Sequence, residues 1–277
     1  MTAQLLTIDP VLHILALVAY GAAVTFIVLD TLYARPAWGR RAGDIALLGG
    51  LALHTAGLAA RWVATGHGPY ITRYEVLSAN AWVALVLWLL AVRFYPKARG
   101  LGIVLVPTCL LITALGVYTG PEVSLLPPTF SGIWLVMHVY FYFIAFAAAL
   151  AAVSTSVLYI LGRHSSAAWL SRLPDSATLD LMAYRVGGLA FVFWGIGMLT
   201  GSIWAYYAWG RFWGWDPVET WSLVTWFAFG LYLHLRRFFG WRGERAAWLL
   251  AGCFFLAAGT LFFTSLIDGS LHAVYFR

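Results

Sequence analysis

The chain has 277 residues, 62% of them hydrophobic and only 10% charged, with a mean hydropathy of +0.82. No water-soluble core of this size hides that much apolar surface, so a soluble globular domain is excluded. The formal charge of +6 follows from how basic residues flank membrane spans and is not a nucleic-acid footprint; no nucleic-acid partner is expected.

Eight apolar stretches are long enough to cross a bilayer: 11–33, 44–62, 75–94, 101–118, 132–160, 186–207, 219–238 and 246–267. Lipid offers no partners for backbone N–H and C=O, so each must be helical. The predicted fold is all-α: a polytopic integral membrane bundle of about eight transmembrane helices, read as a single domain over 1–277. The connection from Arg163 to Arg185 reads as a loop with one interfacial turn. Basic residues fall on alternate connections: Arg35, Arg40 and Arg41, then Arg93, Lys97 and Arg99, then Arg163, Arg172 and Arg185, then Arg236, Arg237, Arg242 and Arg245. The opposite side holds only Arg61, Arg73, Arg211 and Arg277. The positive-inside rule places the first set in the cytoplasm and both termini outside. The opening MTAQLLTIDP lacks a basic n-region, so no cleavable signal peptide is read.

Cys109 and Cys253 each lie within a span and behave as small hydrophobes. There is no CxxC redox pair, no CxxCH for covalent haem, and no phosphate-binding glycine loop. The histidines divide by position. His13 reads as interfacial, His54 as hydrogen-bonded within the bundle, His67 as a turn residue, and His164 as solvated. His138 lies about 9 Å inside span five from the outer surface at the helical rise. His272 follows the last span on the same side. His234 sits near the cytoplasmic end of span seven.

The densest signal is Trp204 to Trp221, WAYYAWGRFWGWDPVETW, which holds five of the fifteen Trp: Trp204, Trp209, Trp213, Trp215 and Trp221. An interfacial aromatic belt explains two or three such rings, not this density with Gly210 and Gly214 interleaved. The rings are suited to a large planar ligand. Asp216, Pro217 and Glu219 read as N-cap, first helical position and N3 of a capping box, rather than as acid/base catalysts. Neutral imidazole ligates iron, so His138 and His272 flanking an aromatic platform predict a bis-His haem site.

These residues carry a resemblance to a known family. WAYYAWGRFWGWDPVETW resembles the tryptophan-rich WWD signature of haem-handling proteins in cytochrome c biogenesis, and is most similar to the CcsA (ResC) family of System II. GHGPYITRYEVLSANAW (66–82), WLVMHVYFYFIAF (134–146) and GSLHAVYF (269–276) resemble further segments of that family. The resemblance implies a cytochrome c synthase (haem lyase) subunit. His138 and His272 match its external haem ligands, and His234 its transmembrane one. Val218 stands where the family commonly has Lys, so no phosphate or propionate role follows for that position.

The implied substrates are haem b, held non-covalently in transit, and an apocytochrome c whose CxxCH thiols add across the haem vinyls. The implied partners are a CcsB (ResB)-type membrane protein, external thiol-reducing proteins and membrane lipid. The outer Arg61, Arg73 and Arg211 are candidate propionate contacts. One Lys against sixteen Arg favours a bacterial cell membrane over a thylakoid. Two other classes remain open: a haem-delivery module handing haem to a carrier, and a haem-bearing electron-transfer subunit.

Overall fold

The computed structural model describes residues 2–33, 37–124, 128–264, 267 and 270. They form eight α-helices: α1 Thr2–Tyr33, α2 Ala37–Thr65, α3 Arg73–Phe94, α4 Gly102–Thr119, α5 Ile133–His164, α6 Ser176–Trp209, α7 Pro217–Phe238 and α8 Glu244–Phe262. Two short 3-10 helices, Pro96–Leu101 and Ala168–Arg172, complete the secondary structure, and no strand occurs among the described residues. Seven segments are long and apolar enough to cross a membrane. The exception is α7, which forms over the expected stretch but carries Ser222, Thr225 and His234 along its length. The chain is thus a polytopic helical membrane protein.

The helix starts are chemically marked. Thr72 caps α3 and forms a capping box with Glu75. Asp175 caps α6 by accepting from the Thr178 amide. Asp216 caps α7, with Pro217 at the first helical position and Glu219 completing the box.

The chain divides into two compact units. The first comprises residues 1–124 and 166–174. Within it, α1 packs along α2, while α3 pairs with α4. The buried stripe of α1 is Asp9, His13, Ala16, Tyr20 and Ala23, whereas Ile8, Val11, Ile14 and Val18 face outward. This helix therefore presents its apolar side to lipid and its polar side to the unit's core. Glycines on α2 make room for the rings. A Cβ on Gly57 would lie 2.6 Å from the His13 ring, and one on Gly50 would lie 2.7 Å from Tyr20.

The structure shows how three of the histidines are held. His13 has no exposed surface, and its ring sits between Asp9 and Ser78. The sequence shows its depth along α1 but not the glycine and the serine on neighbouring helices that enclose it. His67 is a buried loop residue whose Nδ1–H donates to the Gly68 carbonyl at 2.8 Å. His54 is hydrogen-bonded inside the first unit, through Tyr20 and Ser78.

The second unit comprises residues 125–165 and 175–277. There α5 packs against both α6 and α8, and α7 packs against α6 and α8. Small residues line these contacts, as is usual where helices meet in a membrane. His164 is exposed at the end of α5, with Nε2 2.9 Å from Glu244.

Candidate functional site: His138 and the tryptophan-rich turn

His138 lies five residues after the start of α5, and Tyr142 one turn later on the same face. Both rings seat on α6 at a GxxxG pair. Gly197 leaves room for Tyr142, since a Cβ there would approach its ring to 3.0 Å. Gly201 does the same for His138: a Cβ at that position would clash with the imidazole. The ring is then fixed by a bond. His138 Nδ1 lies 2.8 Å from the Gly197 carbonyl oxygen. A carbonyl only accepts, so Nδ1 carries the proton and neutral His138 has its lone pair on Nε2. Metal-ligating histidines are commonly oriented in this way.

Behind this ring, Tyr142 stands edge-on at 4.9 Å. Its hydroxyl pairs closely with Ser222 of α7, which also accepts from the Trp194 indole N–H at 2.9 Å. Trp204 stacks on His138 with centroids 6.2 Å apart and planes 18° apart. Its own N–H donates to the Thr129 carbonyl at 3.0 Å. Trp204 is therefore a buried wall of the histidine seat, not an open surface.

Residues 210–216 of the Trp-rich segment form the turn between α6 and α7, with Trp209 at the end of α6 and Trp221 in α7. Gly210 ends α6 in the left-handed region, with φ +74°, which a side chain rarely adopts. Arg211 folds over Gly214, whose missing Cβ leaves room for the guanidinium. Trp215 is the one non-glycine residue with positive φ among the described residues, and its side chain is 70% exposed. Glu219 Oε2 accepts from the amides of Gly214 and Asp216, which pins the turn to the start of α7. Ser270, two residues before His272 in sequence, donates to Asp216 Oδ1 at 3.0 Å.

The five tryptophans do not form one flat face. Trp204 and Trp209 meet at 65°, and Trp213 and Trp215 at 86°. Trp215 and Trp221 are exposed, while the Trp213 indole N–H is buried without an acceptor among the described residues. The sequence counts the rings but does not show their angles.

His272 lies outside the described residues. His234 is exposed near the end of α7, packing against Phe238 at 4.8 Å and Phe239 at 5.7 Å. It is 17 residues beyond Pro217, hence about 26 Å along the helix. Arg61 and Arg73 belong to the first unit. Arg61 is 1% exposed and bound to Asp9, Glu75 and two main-chain carbonyls, so its guanidinium is held inside that unit. Arg211 is the one of the three that sits in the Trp-rich turn.

Because Glu219 acts here through backbone amides, Glu219→Gln should leave the turn intact. A Gln at N3 still accepts from them. Glu219→Ala should lower the unfolding free energy by about 1 kcal/mol, the usual scale for a lost cap. Denaturation of both variants in detergent checks this; equal losses would require the charge itself.

Residues 70–272 match the family described as cytochrome C assembly protein. The chain is 35% identical over 226 residues to the cytochrome c biogenesis protein CcsA of Chlamydomonas reinhardtii, covering 79% of this chain and 64% of that protein. It is 31% identical over 224 residues to CcsA of Prochlorococcus marinus, covering 71% and 72%. The CcsA of Chlorella vulgaris is 30% identical over 260 residues, covering 80% and 82%. Among solved structures, the cytochrome c haem lyase CcmF aligns with a TM-score of 0.68 at 15% identity, over 93% of this chain and 46% of that one. That likeness concerns the fold alone. The chain belongs to the cytochrome c assembly protein family, in its CcsA group.

Proposed function

We propose that this chain is a haem-presenting subunit of a cytochrome c synthase. It binds haem b non-covalently as a substrate and offers it at the external face of a bacterial cell membrane. Apocytochrome c supplies a CxxCH segment. Each thiol adds across a haem vinyl group: a C–S bond forms, and the thiol hydrogen passes to the neighbouring vinyl carbon. In this reading the chain contributes binding and orientation, not a nucleophile.

The observation that carries the proposal is the seat of His138. Its Nδ1–H is held by the Gly197 carbonyl, and its ring is wedged over Gly201 and against Trp204. That arrangement presents Nε2 as the ligating nitrogen. His272 is assigned the second axial position; the bond from Ser270 to Asp216 supports it. Trp209, Trp213, Trp215 and Trp221 supply aromatic contact, and the Trp213 N–H and Arg211 suit the haem carboxylates. His234, exposed and remote along α7, is assigned to a separate inner site. A lone histidine there supplies one ligand, so a CcsB-type partner completes it. Both termini and the Trp-rich turn then lie outside, as the basic residues predict.

The full chain, co-expressed with such a partner and an apocytochrome, tests this. His138→Gly should lose or shift the haem absorption of the purified protein and lower the yield of covalent haem. Added imidazole should restore part of both. An unchanged spectrum together with an unchanged yield would overturn the assignment.

A further inference from the structure

The first unit contains a second cluster of titratable groups that the haem reading does not use. Tyr20 Oη is 3.1 Å from His54 Nδ1. His54 Nε2 is 2.7 Å from Ser78 Oγ, which is 2.8 Å from His13 Nε2. His13 Nδ1 is 2.8 Å from Asp9 Oδ1. Five groups on three helices thus form one continuous file. Asp9, His13, Tyr20 and His54 have no exposed surface, and Ser78 has 1%.

The hydrogens of this file have a consistent order. Carboxylate Asp9 accepts from His13 Nδ1–H, so His13 Nε2 accepts from the Ser78 hydroxyl. Ser78 Oγ then accepts from His54 Nε2–H, and His54 Nδ1 accepts from the Tyr20 hydroxyl. Each of the three interior members, His54, Ser78 and His13, can gain a proton on one side and release one on the other. No amide or alkyl group interrupts them.

The two ends differ. At the Asp9 end, Oδ2 meets Arg61 at 3.2 Å and Oδ1 accepts from Tyr74 at 3.0 Å. Arg61 in turn reaches Glu75 at 2.6 Å and the carbonyls of Pro121 and Glu122, both exposed residues. At the other end, Tyr20 is enclosed by Gly50, with buried Cys109 of α4 the neighbouring titratable group. One end therefore lies behind Arg61, next to exposed Pro121 and Glu122, and the other stops in the core about 16 Å along α1, at 1.5 Å for each of the eleven steps from Asp9 to Tyr20.

Buried polar side chains within spans are costly, and helices can be joined by packing alone. A single file of groups that both donate and accept, with one end a single side chain away from the exposed residues Pro121 and Glu122, has the form of a proton path. Its α1 and α2 members precede residue 70, where the family match begins. We propose that this file is a proton relay, exchanging protons between water at the Arg61 end and the buried Tyr20–His54 pair. Outward transfer breaks the His13 Nδ1–H bond and forms Asp9 O–H. His13 Nε2 takes the Ser78 proton, Ser78 takes the His54 Nε2 proton, and His54 Nδ1 takes the Tyr20 proton. Tyr20 is left as a phenolate accepting from His54 Nδ1–H, and Asp9 releases its proton to water admitted beside Pro121 and Glu122, so that the reverse transfer restores the Tyr20 hydroxyl. Inward transfer is the reverse, and reorientation of the Ser78 hydroxyl between hops carries solvent protons deeper.

The relay imposes an order that mere helix glue does not. The full chain in lipid nanodiscs, with ring-15N histidine, is transferred to D2O, and the ring N–H signals of His13 and His54 are followed. His13 should exchange first and His54 after it, although neither is exposed. Ser78→Ala should slow His54 by at least about tenfold while His13 stays fast; opening of the bundle would instead speed both. Ser78→Thr, which keeps the hydroxyl, should restore the rate. His13→Phe, as a second block, should slow His54 as well, and thermal unfolding of each variant verifies folding. The relay is overturned if His54 exchanges as fast as His13 in the unaltered chain, or if neither block slows it.

Discussion

Arg61→Leu should lower the unfolding free energy by about 3–5 kcal/mol, the scale for removing one partner from a buried charge network. Arg61 is the single cation between two buried carboxylates. Its Nε lies 2.6 Å from Glu75 Oε1, and its Nη1 lies 3.2 Å from Asp9 Oδ2. Two further N–H groups hold the Pro121 and Glu122 carbonyls at 3.0 and 2.6 Å. Leucine fills much of the volume but leaves both carboxylates without their counter-ion in a site screened from water. Neutralising one of them should recover part of the loss, so Arg61→Leu with Glu75→Gln should be more stable than Arg61→Leu alone. Arg61→Lys should be intermediate, because an ammonium lacks the planar fork that serves four acceptors. Guanidinium or thermal unfolding in mild detergent gives the comparison. A loss below about 1 kcal/mol, as at an exposed pair, would show that water screens this site after all.

Gly201→Ala is expected to be the most damaging single methyl in the second unit. Helix propensity alone predicts a gain of about 1 kcal/mol for alanine over glycine. The new Cβ would clash with the His138 ring, however, and so push the imidazole away from the Gly197 carbonyl. Overpacking of this kind costs about 1–3 kcal/mol. The histidine loses its fixed direction at the same time, so haem retention should fall more than stability does. Gly188→Ala on the same helix is the control: its Cβ would meet only Leu233, at 4.0 Å. That variant should be neutral or slightly stabilised. A Gly201→Ala protein with unchanged unfolding and an unchanged haem spectrum would mean that His138 has another seat.

The architecture was legible because apolar length is a one-dimensional signal. Seven of the eight expected spans meet the length and apolarity needed to cross a membrane, and the last is a helix over the expected residues. The α7 start was legible for the same reason, since Asp216, Pro217 and Glu219 cap through contacts a few residues apart. The Thr72–Glu75 box was equally visible as T-x-x-E but went unread. The first apolar stretch begins at residue 11, whereas α1 begins at Thr2. In the fold, Pro10 lies within the helix and Arg61 from α2 compensates Asp9. The relay, the glycine seats and the ring angles of the Trp-rich turn depend on which helix faces which. No periodicity within a single segment encodes that.

The polar stripe of α1 also bears on how the protein enters the membrane. Asp9, Arg61 and Glu75 lie on three successive helices, and they neutralise one another only once these helices have met. A lone charged residue in a span opposes insertion by up to about 2.5–3.5 kcal/mol at mid-depth, and by less near its end. Helices α1, α2 and α3 should therefore leave the insertion machinery as a set rather than singly. A chain stalled after α1 would expose Asp9 and His13 where lipid tails should be. The charges of the first unit thus set the order of its assembly as well as its stability.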